Sequence, residues 1–125
     1  MARYEEIKNI ENHALLAIKL EAAEGYLEND PPAAVREMLE AMELMLRQLC
    51  ARHAGTEYDD NYERITELHE RGILDEDLRN GLHSFRVIAD DVRLDGYEVE
   101  DYEAGACFDD MLRLAEIFTS VPERR

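Results

Sequence analysis

Arg86, Asp90 and Leu94 recur at i, i+4 and i+8 in the stretch FRVIADDVRL, so on a helix they share one face, with Arg93 adjoining. An arginine fork can clamp a phosphate or a carboxylate, but chemistry at such an anion also needs a group that moves a proton. Asp90 lies one turn from Arg86 and is expected to pair with it. The cation-first order is the weaker one, worth roughly 0.2–0.5 kcal/mol on an exposed helix. His83, three residues before Arg86, is the nearest imidazole on that face, although a helix histidine is far more often solvated than catalytic. Arg47 and His53, in RQLCARH, lie six apart and therefore far from one face.

Other constellations fail on spacing. Glu37, Glu40 and Glu43 step by three, and carboxylates at that spacing can share a hard cation, but only with an acidic pair on a facing helix. The sole counterpart is EVED (98–101), which reads as loop, so a solvated acidic face accounts for the glutamates and no metal is expected. None of His13, His53, His69 and His83 has a glutamate three residues before it, which closes the di-iron option. The chain also lacks a Gly-rich phosphate loop, a Gly-x-Ser-x-Gly elbow and a Cys-x-x-Cys, so no cofactor is expected.

The elements that must position these residues are helical. Breaks fall at NDPP (29–32), AGTEYDD (54–60), RGILDED (71–77) and RLDGYEVED (93–101), and they bound five apolar-periodic segments. The first, about residues 3–28, carries Ile7, Ile10, Ala14 and Ala17 on one stripe, with Leu16, Leu20, Ala23 and Leu27 beside it. Asp30 is placed to cap the second helix, with prolines in its first turn. There Val35, Leu39, Met42, Leu46 and Leu49 form one stripe, and Ala34, Met38, Ala41 and Met45 a second. A face that wide predicts the central helix of a bundle, ended by Gly55. The short third segment offers Tyr62, Ile65 and Leu68 before Gly72. Asp75 is expected to cap a fourth helix built on Leu78, Leu82, Phe85, Ala89 and Val92. A fifth follows on Cys107, Met111, Leu114 and Phe118, with Pro122 beyond it. Period-two alternation is absent, so the expected class is all-α: one domain over residues 1–125, a compact bundle of four to five helices.

Composition narrows the function. At 125 residues the chain can bury a core without disulfides or metal, and Cys50 and Cys107 fall in apolar helical patterns, as reduced core residues would. No apolar run approaches the roughly 20 residues that span a bilayer, and MARYEEIKNI lacks the layout of a signal peptide, so a soluble, cytoplasmic protein without membrane contact is expected. Thirty acidic against fourteen basic residues give a net charge of −16, which opposes direct binding of nucleic acid. Lysine occurs only at Lys8 and Lys19, and this excess of carboxylates is similar to the surfaces of salt-adapted, halophilic proteins. The rival account is an acidic nucleic-acid mimic that inhibits a basic partner.

The run PAAVREMLEAMELMLRQLC, a loop, YERITELHERGILDEDLRNGLHSFRVIADDV and the closing YEAGACFDDMLRLAEIFTS together resemble the small domain of unknown function 4145 (DUF4145), a member of the HEPN superfamily of helical bundles. The likeness covers residues 31–120, with the first helix, 1–28, packed upon that core. The resemblance implies an Arg, Gly-Asn, His motif on the fourth helix and, in catalytic members, metal-independent RNA cleavage through the Arg and His. Here Arg86 keeps the arginine, Ala89 and Asp90 replace Gly-Asn, and Leu94 stands where the histidine would be. Leucine cannot transfer a proton, and Asp90 brings negative charge to the place of a scissile phosphate, so no catalytic residue is expected and the motif reads as degenerate. The implied role is a non-catalytic interaction or accessory module near prokaryotic defence or toxin–antitoxin systems, acting through a protein partner or as a homodimer. RNA cleavage of the HEPN type is the alternative.

Overall fold

A computed structural model describes residues 14–56 and 58–120 of the chain. Among the described residues there are five helices and no strand: α1 (Ala14–Tyr26), α2 (Pro31–Ala54), α3 (Asn61–Glu70), α4 (Glu76–Asp95) and α5 (Asp101–Ser120). None of them is long and apolar enough to cross a membrane. Ile7, Ile10, His13 and Pro122 lie outside the described residues.

Local chemistry sets the helix ends. Asp30 accepts the Ala33 N–H at 3.3 Å ahead of Pro31 and Pro32, Asp60 accepts from Glu63 at 2.8 Å, and Asp75 accepts from Leu78 at 2.7 Å. Each satisfies a backbone donor that the first turn leaves unpaired. Gly55 closes α2 and Gly96 closes α4, with φ of 77° and 68°, the left-handed conformation that glycine adopts without a Cβ clash.

The expected bundle forms around α2, which packs against each of the other four helices. Both of its apolar stripes are buried except Leu39, which is half-buried at the edge of a cleft. All five predicted core residues of α4 are buried, as are all four of α5. Burying side chains of this size contributes roughly 1.5–3 kcal/mol each before chain entropy is set against it. Leu74 and Val99, in the connections before α4 and α5, are buried as well and anchor those loops to the core.

Three expectations need correction. The buried face of α1 is narrower than its apolar content suggested: Leu16, Ala17, Leu20 and Ala23 are buried, but Ala14 is exposed, as are Leu15 and Ile18. The reason is that α1 packs chiefly on α2, and one neighbour buries one stripe. Tyr62 is 53% exposed and not part of the core. Steps of three along a helix rotate the position by about 60° each, so Tyr62 has drifted to the rim of a stripe centred on Ile65 and Leu68. Finally, the break expected over 93–101 is shorter than drawn: α4 runs through Asp95, so Arg93 and Leu94 are helical as the shared-face reading requires, and Asp101 begins α5.

Candidate functional site

A cleft of about 550 Å³ opens where α2, α3 and α4 meet. Leu39, Glu40, Glu43 and Arg47 of α2 form one wall, Asp59 and Asp60 with Asn61, Tyr62 and Arg64 a second, and Arg86, Asp90 and Arg93 of α4 the third.

The α3 wall is held from beneath by Arg64, which is only 3% exposed. Its guanidinium donates to the Asn61 side chain at 2.7 Å and to the Tyr58 carbonyl at 2.9 Å, fixing the entry to α3 where Tyr58 takes a φ of 59°. The Cys50 thiol donates to the Arg64 carbonyl at 3.8 Å and ties the same turn to α2. Asn61 in turn donates to Glu43 across the cleft floor at 3.4 Å.

On the α4 wall Arg86 does not pair with Asp90. Its Nε–H donates to His83 Nδ1 at 3.3 Å, and its guanidinium carbon lies 5.0 Å from the centre of the Tyr62 ring. The same ring sits 5.1 Å from the His83 imidazole. Asp90 pairs with Arg93 at 3.1 Å instead, in the stronger acid-first order. The expected pair therefore gives way to two better offers: an aromatic face brought from α3 for Arg86, and a well-placed cation for Asp90. Burial, then the Arg86 and Arg79 guanidinium groups, hold the His83 pKa below its ordinary 6.5. His83 is thus neutral at pH 7, and the Arg86 bond places its proton on Nε2.

Of the four cleft arginines, Arg93 is paired with Asp90 and Arg64 is pinned beneath α3, whereas Arg47 and Arg86 make no ion pair with the described residues. The carboxylates are mostly engaged: Glu40 with Lys19, Glu43 with Asn61, Asp60 at its helix cap and Asp90 with Arg93.

Arg86, Asp90 and Arg93 thus share one wall, as their spacing implied, while Leu94 projects away from the cleft and is 68% exposed. Arg47 joins the cleft but His53 does not; its Nε2 is buried without a hydrogen-bond partner among the described residues, and burial followed by Arg52 and Arg71 lowers its pKa. Glu37 pairs with Lys19 at 3.5 Å, so the Glu37, Glu40 and Glu43 ladder serves the α1–α2 contact and the cleft floor. Among the described residues no three His, Cys, Asp or Glu side chains converge to hold a metal ion. Cys50 and Cys107 are buried free thiols, each pushed up to about 11 by burial.

Sequence reasoning missed Tyr62 as the platform under Arg86 and Arg64 as the buried strut. Tyr62 carried a signal in its off-stripe position; Arg64 carried none, since nothing local distinguishes it from a solvated helix arginine. Comparison with family models, with curated proteins and with solved structures gives no match for this chain.

Proposed function

We propose that this chain is a HEPN-like module that works by binding and not by catalysis, engaging a protein partner or a second copy of itself across the outer face of α4. The observation that carries this reading is the commitment of Arg86: its Nε serves His83, its guanidinium lies over Tyr62, and among the described residues no histidine lines the cleft into which it opens. A phosphodiester entering there would meet Glu40, Glu43, Asp59, Asp60 and Asp90. Such a wall raises the energy of a bound polyanion. Outside the cleft, Val87 and Leu94 are 50% and 68% exposed two turns apart on one face of α4, an apolar pair suited to contact.

Exposed carboxylates occur on α2, α3, α4 and α5 alike, which disfavours a mimic that needs them on one face. RNA cleavage is the second reading, because an imidazole does touch Arg86.

The test is incubation of the purified chain and its Arg86→Ala variant with single-stranded RNA, coupled to sizing in solution at low and high salt. The binding module leaves RNA intact in both forms. Leu94→Glu weakens any self-association while leaving stability within about 0.5 kcal/mol, as befits an exposed site. RNA cleavage that disappears with Arg86→Ala overturns the proposal in favour of the nuclease.

A further inference from the structure

Three cavities open side by side along the outer surface of α2. The central cleft of about 550 Å³ is continued by one of about 230 Å³ that reaches Leu15 and Leu44 and shares Glu40, Glu43 and Arg47 with it. A third, of about 130 Å³, reaches Val35 and Ala89 and shares Leu39, Glu40 and Arg93 with the central one. The α2 residues that line the three run from Val35 to Arg47, about 18 Å of helix at 1.5 Å per residue, and so long a furrowed face suits a stretch of extended chain better than a compact small molecule.

The groove carries both signs of charge. Arg47 and Arg86 make no ion pair with the described residues, in a chain whose net charge is −16 and whose carboxylates are abundant. Arg86 is also preset: with Nε committed to His83 and the plane resting on Tyr62, its terminal N–H groups are left for a ligand at little ordering cost. Beside these cations stand Glu43 and Asp59. A polyanion would be repelled by the carboxylates and a polycation by the arginines, whereas a strand bearing both signs satisfies both.

We propose that this groove binds an extended segment of a partner protein in which acidic and basic side chains are interspersed, its carboxylates on Arg86 and Arg47 and its cations beside Glu43 and Asp59. The assignment rests on the binding-module reading and adds to the outer face of α4 a second contact surface, the groove along α2.

The experiment is an NMR titration of the isotope-labelled full chain with short capped peptides: one of alternating Asp and Lys separated by Gly, one all-acidic and one all-basic, with an oligoadenylate RNA as a fourth probe. The alternating peptide is expected to shift the signals of Arg47, Arg86 and Tyr62 saturably and to bind more tightly than the other three. Arg47→Gln and Arg86→Gln should each weaken it about tenfold through loss of a charge-assisted hydrogen bond. Arg113→Gln, on the α4–α5 side of the bundle, should leave it unchanged, and circular dichroism confirms that each variant is folded. Tightest binding by the all-basic peptide, by the all-acidic peptide or by RNA overturns the proposal. Silence towards every peptide while RNA stays intact removes the groove assignment alone; Arg86-dependent cleavage of the RNA removes the module reading with it.

Discussion

The Nε–H of Arg86 points at Nδ1 of His83 across 3.3 Å, and both side chains lie against the ring of Tyr62. This bond exists only while the imidazole is neutral, because imidazolium has no lone pair to offer and would set two cations side by side. Burial and the neighbouring guanidinium groups keep it neutral by lowering its pKa from 6.5. A depressed folded-state pKa contributes stability that is present above 6.5 and is lost as pH falls below it. The His83 ring signals should therefore titrate with a midpoint below 6.5, and Tyr62→Ala, which removes covering surface, should move that midpoint upward. Arg86→Gln should move it the same way by a smaller step. A midpoint at or above 6.5 that ignores both substitutions would refute this account.

Arg64 offers a test of the cleft's foundation. Replacing it with Ala strands the Tyr58 carbonyl and the Asn61 side chain and leaves a gap beneath α3. The expected loss is about 2–3 kcal/mol, read from urea midpoints. Arg64→Lys should recover little of it, since one ammonium cannot reproduce the fork. Amide exchange at residues 58–61 should quicken in both variants; unchanged exchange would mean the strut is dispensable.

Gly81 and Asp110 form a second checkable pair. A Cβ at Gly81 would come within 2.9 Å of the Asp110 carboxyl carbon, so this helical glycine keeps α4 and α5 close. Alanine would ordinarily gain about 1 kcal/mol of helix propensity at such a position. We expect Gly81→Ala to destabilise the native chain and to stabilise an Asp110→Ala background by about that amount. Equal effects in the two backgrounds would show that the carboxylate yields without cost.

Salt should strengthen the fold. The ion pairs of Arg93 with Asp90, and of Arg113 with Asp75 and Asp77, are solvent-exposed, and screening them costs little. Repulsion within a net charge of −16 is relieved at the same time. The urea midpoint should rise between low and half-molar sodium chloride at pH 7. A flat or falling midpoint would place the stabilising weight on the ion pairs instead.

The sequence by itself determined the helices and the inward side of most of them. Leu78, Leu82, Phe85, Ala89 and Val92 repeat at the period of a helix, and Asp30, Asp75 and Gly55 are residue types that end one, so each such feature is settled within a few residues of chain. Only the tertiary structure decided what Arg86 touches. Asp90 and His83 lie within one turn of it, and local pairs on an exposed helix differ by a few tenths of a kcal/mol. So small a difference is overruled by the Tyr62 ring that α3 lays against α4, a neighbour 24 residues away whose approach no local spacing records. Arg64 was hidden for the same reason: its burial depends on how α3 settles onto α2 and not on its place in α3.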